Sequence, residues 1–195
     1  MKDKLKTQII NIKVKSKQNF LSARYEGFKS YDEFLNKIAE NLSNGIGFIE
    51  LSGERISDSV FLELAKKTKQ LCEIYNATIA IKNRTDIAYL SSADCVNLEQ
   101  EAIDIHSARE LLGKDFLIGL YSTPESIELS VKGGADYILL RNNISTPTEP
   151  VSSTGLEYAK WVSENHRCSV LSLNNADKNF PNNPCGLTYS NIEIV

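Results

Sequence analysis

The stretch FLIGLYSTPESIELSVKGGADYILL, residues 116–140, decides the fold class of this 195-residue chain. It begins with the apolar segment FLIGL and ends with a second one, YILL, and each predicts a short buried strand. Between them, Thr123-Pro124-Glu125 has the order of an N-cap, a proline at the first helical position and an acid in the first turn. Two glycines, the first of them Gly133, end this helix. The stretch therefore predicts one strand–helix–strand unit.

The same alternation continues on both sides of this unit. The predicted strands are 20–23, 48–51, 78–81, 95–98, 116–120, 137–140 and 170–173, with 192–195 as a last short strand. The predicted helices are 30–44, 59–75, 106–112, 123–132 and 155–166. Short strands that are apolar on both faces are typical of parallel sheets, which form either a doubly wound sheet or a (β/α)8 barrel. No GxGxxG motif follows the first strand, and the even spacing of the strands favours the barrel.

In a barrel, functional residues lie at the carboxyl ends of the strands. The segments to inspect are therefore 50–55, 82–86, 99–104, 121–124, 141–149 and 174–177.

The amino-acid composition excludes several classes of protein. Apolar residues make up 42% of the chain, with 10 glycines and 5 prolines, which excludes a disordered or collagen-like protein and predicts a single domain over residues 1–195. The net charge of −3 argues against a nucleic-acid partner. No apolar run approaches the ~18 residues of a membrane span, so we expect no membrane partner either.

Cysteine and histidine are too sparse for a zinc site. No two of the four cysteines have CxxC spacing, and the chain has only two histidines. Three of the cysteines lie in or beside apolar segments, which favours buried free thiols and a reducing, cytoplasmic location.

Residues 1–17 form a basic N-terminal arm with six lysines and one aspartate. Within it, Ile10, Ile12 and Val14 alternate with polar residues, which predicts an extra N-terminal strand. Its lysines favour a solvated edge strand protected against pairing, and an anion-binding arm is the alternative.

Several motifs resemble the thiamine phosphate synthase/TenI family. Segments KNRTDIA (82–88), SADCVNLEQE (92–101) and ARELLG (108–113) are similar to the family patterns N-D-R-x-D-I-A, G-A-D-G-V-H-L-G-Q-x-D and A-R-x-L-L-G. GADYI (134–138) and STPT (145–148) resemble the family's G-A-D-Y-I and P-T-x-T-K. The resemblance covers about residues 45–173. It implies a (β/α)8 TIM barrel, here with a shortened C-terminal end in which loop replaces a helix after residue 173.

The resemblance also implies where substrates lie. In the family, a thiazole nitrogen attacks the methyl carbon of an aminopyrimidine diphosphate, while Mg²⁺ and several cations hold the departing pyrophosphate. Residue by residue, the implied substrate-binding positions are Glu50, Ser52, Glu54, Lys82, Arg84, Thr146, Thr148, Glu149, Asn174 and Asn175. Asn83 and Ala102 occupy the family's two magnesium positions.

Most of these positions carry other residue types than the family does. Ser52, Glu54 and Glu149 replace cations, and neither magnesium position keeps its carboxylate. Only Arg84, Thr146 and Thr148 remain recognisable, and the end of the fifth strand lacks the histidine that TenI chemistry uses. We therefore expect a catalytically degenerate member with a binding or regulatory role, no confident catalytic residue and no cofactor.

The alternative is an active, divergent synthase. In that case Lys82 would substitute for a lost cation, and Glu99, Glu101 and Asp104 would supply a displaced magnesium site. Under either hypothesis the expected partner is a small phosphorylated ligand, and the sequence leaves a homo-oligomer open.

Overall fold

Seven strands of the computed structural model run parallel and lie side by side in sequence order. The structure describes residues 18–141, 151–166, 168–175 and 187–194. The parallel strands are β1 (Gln18–Arg24), β2 (Ile46–Ser52), β3 (Thr78–Lys82), β4 (Cys95–Leu98), β5 (Leu117–Ser122), β6 (Tyr137–Leu140) and β7 (Ser169–Asn175). An eighth strand, β8 (Leu187–Ile194), pairs antiparallel with both β7 and β1.

The parallel strands are connected by segments that contain helices. These are α1 (Tyr31–Ser43), α2 (Asp58–Ile74), α3 (Thr85–Leu90), α4 (Ile105–Leu112), α5 (Ile127–Lys132) and α6 (Ser153–His166). Ser30 caps the start of α1, since its Oγ accepts from the Glu33 amide at 3.1 Å. The Glu33 carboxylate reaches one residue further back than a capping box requires, to the Lys29 amide at 2.9 Å.

One local prediction was wrong, and one short helix was not predicted. The helix predicted from Thr123 begins only at Ile127, because residues 123–126 form a turn in which the Ser126 amide donates to the Thr123 carbonyl at 3.1 Å. The six-residue helix α3 was missed, since its length is too short for a helical period to show.

Apolar side chains pack on both faces of the sheet. On the inner face, Phe20 and Phe48 meet with ring centroids 5.4 Å apart, within a cluster that also contains Tyr137 and Leu171. On the outer face, the alternate strand residues pack against helix residues such as Phe34. Side chains of a strand alternate between faces, so the inner face of the sheet is set by every second residue.

The α/β class and the seven-stranded, curled parallel sheet are confirmed. The last strand differs from the (β/α)8 expectation, because β8 runs antiparallel to its neighbours and begins five residues before the predicted 192–195. The extra strand predicted in the basic arm 1–17 lies outside the described residues, as does most of the segment after residue 173 in which we expect loop to replace a helix. Within that segment, Asn174 and Asn175 belong to β7. Within the described ranges, no helix has the length and apolar character needed to cross a membrane.

Candidate functional site

A buried carboxylate, Glu50, lies inside the sheet. It follows Phe48 by two residues on β2 and so shares its inner face, and only 1% of its surface is exposed. Its Oε2 accepts hydrogen bonds from Nδ2 of Asn97 at 2.8 Å and from the Tyr121 hydroxyl at 2.5 Å. Oε1 accepts from Oγ of Ser22 at 3.4 Å. Donors from three other strands therefore converge on one carboxylate.

A second tyrosine extends this arrangement. The hydroxyl of Tyr137 donates to Oδ1 of Asn97 at 2.5 Å. Its ring lies directly against Gly119 of the neighbouring strand, where a side chain would collide with it. We call Ser22, Glu50, Asn97, Tyr121 and Tyr137 the Glu50 network.

Both tyrosines of the network are held as hydrogen-bond donors. Burial, followed by the negative charge of Glu50, raises the pKa of the Tyr121 phenol well above its usual range. Burial, followed by the neighbouring thiol Cys95, raises the pKa of Tyr137 in the same direction. Both phenols therefore stay protonated at neutral pH, as their bonds to acceptors require.

A cluster of charged side chains lies beside this network, at the carboxyl ends of β3, β4 and β6. Oε1 of Glu99 is 3.0 Å from Nζ of Lys82 and 3.1 Å from a terminal nitrogen of Arg141. Nδ2 of Asn83 donates to Oε2 of Glu99 at 3.2 Å, and Oδ1 of Asn83 accepts from the Glu99 amide at 2.9 Å. We call Lys82, Asn83, Glu99 and Arg141 the Glu99 cluster.

Backbone geometry places Asn83 in this cluster. It has φ +59°, the left-handed region that asparagine tolerates better than most residues. Its amide donates to the Asn97 carbonyl at 2.8 Å, which ties the end of β3 to β4. The turn therefore directs the Asn83 side chain at Glu99.

Arg141 connects the cluster to the network. Its guanidinium carbon lies 3.5 Å from the centroid of the Tyr121 ring, a cation–π contact. Among the residues that the structure describes, Nε of Arg141 has no hydrogen-bond partner although it is buried. A buried positive group thus lies at the end of the sheet with one donor unused.

The cluster stabilises the ionised form of Glu99. Burial alone raises the pKa of its carboxyl, but the hydrogen bond and charge of Lys82, the hydrogen bond of Asn83 and the charge of Arg141 outweigh it. The pKa of Glu99 therefore lies below its ordinary value. The sign follows from linkage: a depressed folded-state pKa contributes stability above the unfolded-state pKa, and this contribution is lost as the pH falls through the folded-state value.

We expect the Glu99→Gln variant to reveal this contribution. The difference in unfolding free energy between wild type and variant should be constant above about pH 5.5 and should shrink below about pH 4. Urea unfolding of both proteins at several pH values measures it, and carboxyls common to both cancel in the difference. A difference that does not change between neutral and acidic pH would contradict the assignment.

Arg84, which the family resemblance places at the phosphates, is engaged by two carboxylates. One terminal nitrogen lies 2.7 Å from Asp58, and the guanidinium donates twice to Asp86, at 2.9 and 2.7 Å. The hydrogen bonds to Asp86 and then to Asp58 raise the pKa of Arg84, so the group is always charged. About a third of the side chain is exposed.

The structure brings only some of the sequence-predicted positions together. Glu50, Lys82 and Asn83 lie in the two connected groups, Ser52 is buried at the end of β2, and Glu54 is exposed in the following turn. Asn174 and Asn175 end β7 and pair through their backbones with Asn191 and Ser190. Thr146, Thr148 and Glu149 lie outside the described residues.

Sequence reasoning missed part of the site. Asn97 and Tyr137 were assigned no role, and Arg141 was only within a segment to inspect. For Asn97 the sequence does contain a signal. Side chains alternate between the faces of a strand, so Asn97 shares a face of β4 with Cys95 and precedes Glu99 by two residues.

The residues at the family's magnesium positions do not fit that ion. The side-chain oxygen of Asn83 accepts from the Glu99 amide, and Ala102 offers no ligand atom. In the described ranges, no three His, Cys, Asp or Glu side chains form a group that could hold a metal, the displaced set 99, 101 and 104 included. The two family positions therefore offer magnesium no carboxylate ligand.

Comparison with known proteins identifies the family. The profile of the family described as thiamine monophosphate synthase (TMP-TENI) matches residues 24–176. The thiamine-phosphate synthase of Nostoc punctiforme is 32% identical over 166 residues, which are 84% of this chain and 47% of the relative. That of Campylobacter jejuni (serotype O:23/36) is 30% identical over 170 residues, which are 87% of this chain and 80% of the relative. The chain thus spans about half the length of the Nostoc relative.

Solved structures agree in fold. The thiamine phosphate pyrophosphorylase from Pyrococcus furiosus superposes with a TM-score of 0.65 at 23% identity, covering 82% of this chain and 76% of that one. The 3-dehydroquinate dehydratase from Geobacillus kaustophilus does so with a TM-score of 0.58 at 12% identity, covering 82% and 74%. At these identities the likeness concerns the fold alone. The match over residues 24–176 shows that the chain belongs to the thiamine monophosphate synthase family, which associates it with thiamine biosynthesis.

Proposed function

We propose that this chain is a catalytically degenerate member of its family, and that it binds a small phosphorylated ligand at the carboxyl ends of the strands. The observation that carries the proposal is the pairing of cations. Lys82 and Arg141 both contact Glu99, and Arg84 contacts Asp58 and Asp86. These three cations would have to leave carboxylates before they could hold a departing pyrophosphate.

Charge supports the same conclusion. A leaving pyrophosphate gains negative charge, so its departure needs cations that are positioned for it beforehand. Glu99 places a negative charge in direct contact with both cations of the Glu99 cluster, and the Glu50 carboxyl lies on the other side of Tyr121, bonded to its hydroxyl. The opposing charges leave little net attraction for a developing anion, which argues against catalysis of pyrophosphate departure.

The second candidate is an active, divergent synthase. One observation favours it: Lys82 and Arg141 lie at the strand ends within reach of a common oxygen, so a diphosphate that displaces Glu99 would meet both. Identity of about 30% to curated synthases over most of the chain supports this candidate too.

Calorimetric titration tests the proposal. The ligands are thiamine phosphate, the thiazole phosphate, the aminopyrimidine diphosphate and unphosphorylated thiamine. We expect saturable binding of at least one phosphorylated compound, at least tenfold tighter than thiamine. Lys82→Gln should weaken it about tenfold, which corresponds to about 1.4 kcal/mol. Lys66→Gln is the matched control, since Lys66 is exposed on α2 and its replacement removes the same charge.

Two results would overturn the proposal. Folded protein that binds none of the compounds would remove the binding role. Formation of thiamine phosphate from the two substrates would show that the chain is an active synthase and not a degenerate one.

Two further points are inferences of the same kind. We infer that β8 completes a variant of the (β/α)8 barrel with its last strand reversed, which is supported by its pairing with both β7 and β1. We also infer a cytoplasmic location, supported by the buried thiol of Cys95.

A further inference from the structure

The Glu99 cluster combines two cations with one carboxylate in a largely buried position. The side chains of Lys82 and Arg141 are 18% and 11% exposed, and that of Glu99 is 29% exposed. The two cations converge on the same atom, Oε1 of Glu99, at 3.0 and 3.1 Å. Glu99 and Arg141 are not among the positions that the family resemblance assigns to substrate.

Arg141 is held in place by groups other than Glu99, and Lys82 is fixed at its backbone. Arg141 lies over the ring of Tyr121, whose hydroxyl is fixed by Glu50. Its amide donates to the Ser122 carbonyl at 2.9 Å. The backbone of Lys82 pairs with that of Asn97 in the sheet. Loss of the Glu99 carboxylate would therefore leave Arg141 near its present position and the backbone of Lys82 unchanged.

The Glu99 carboxylate is the partner with access to solvent. It is the most exposed of the three charged side chains, so it has a solvent side into which it can swing. Asn83 anchors the Glu99 amide as well as the carboxylate, so the backbone stays fixed when the side chain leaves.

We propose that Lys82 and Arg141 form a binding site for a phosphate-class anion, and that Glu99 occupies this site as an internal anion until the ligand displaces it. This proposal rests on the proposed function in one respect, since it states where the phosphate of the proposed ligand would lie. An incoming phosphate oxygen takes the place of Oε1, and the fork of Arg141, with its unused Nε, offers donors that a carboxylate at this position leaves unpaired.

The probe is inorganic pyrophosphate, titrated by calorimetry at fixed, low ionic strength. Wild type should bind it weakly, because each binding event must displace Glu99. Glu99→Gln removes the competing charge and keeps the shape, so we expect at least tenfold tighter binding. Glu99→Ala should show the same gain, which keeps the test valid if one variant does not fold. Circular dichroism verifies folding of each protein.

Two controls separate this site from general electrostatics. Glu125→Gln removes the same charge from an exposed residue between β5 and α5, and should leave binding within about twofold of wild type. Adding Arg141→Gln to Glu99→Gln should abolish the gain. Equal binding by wild type and Glu99→Gln, an equal gain in Glu125→Gln, or a gain that survives loss of Arg141 would each overturn the site.

Failure of the anion site and failure of the proposed function give different experimental results. If Glu99→Gln gains pyrophosphate binding through Arg141 while wild type binds none of the thiamine-related phosphates, the anion site stands and the proposed ligand class fails. If wild type binds such a phosphate while Glu99→Gln shows no gain, the proposed function stands and the anion site fails.

Discussion

Gly119→Ala should destabilise the protein by about 3 kcal/mol or prevent folding, since overpacking a rigid core costs this much at its upper end. A Cβ at this position would lie 2.7 Å from Oδ1 of Asn97 and still closer to the ring of Tyr137. Neither neighbour can retreat, because Tyr137 is fully enclosed and its hydroxyl is bonded to Asn97. Urea unfolding followed by circular dichroism measures the loss.

Gly133→Ala is the matched control. Gly133 has φ −66° at the end of α5, and its new Cβ would approach the nearest backbone oxygen to 3.3 Å. We expect a change within about 1 kcal/mol, in either direction. Equal effects of the two substitutions would show that Tyr137 does not lie against β5 as described.

Glu50→Ala should cost about 3 to 5 kcal/mol of unfolding free energy. The change opens a cavity and leaves buried donors on Asn97 and Tyr121 without their acceptor. Chemical denaturation of the purified variant, with circular dichroism as the signal, measures the cost.

Glu50→Gln provides the comparison, because it removes the charge and keeps the shape of the side chain. Its amide oxygen can accept both bonds that now reach Oε2, and its amide nitrogen can donate to Ser22. We expect a loss of only about 1 kcal/mol, since charge assistance alone disappears. If alanine and glutamine cost the same, hydrogen bonding to Glu50 is not what stabilises the interior.

The fold could be predicted because strand apolarity is a local property. Segments such as 78–81 and 137–140 are apolar on both faces, so each can be recognised as a buried strand from its own residues. The start of α5 could not be predicted from the sequence. Pro124 and Glu125 are compatible with the first turn of a helix and equally with the turn that Ser126 closes. The antiparallel direction of β8 depends on pairing between strands far apart in sequence.

The site was predictable in position but not in pairing. The carboxyl-end segments already contained Glu50, Lys82, Glu99, Tyr121 and Arg141. That Lys82 and Arg141 share one carboxylate is a contact between three strands, and no spacing in the sequence encodes it. Arg84 shows the same limit, since its motif matched while its charge is directed at Asp58 and Asp86.

A synthase assay tests most directly the proposal that this chain no longer catalyses the family's condensation. The purified chain receives the aminopyrimidine diphosphate, the thiazole phosphate and Mg²⁺, and thiamine phosphate is quantified by fluorescence after oxidation. The Campylobacter jejuni thiamine-phosphate synthase, a relative at 30% identity, serves as the positive control. We predict no product above the protein-free blank from folded protein. Product that rises with protein concentration and is lost in Lys82→Gln would contradict the claim and establish an active, divergent synthase.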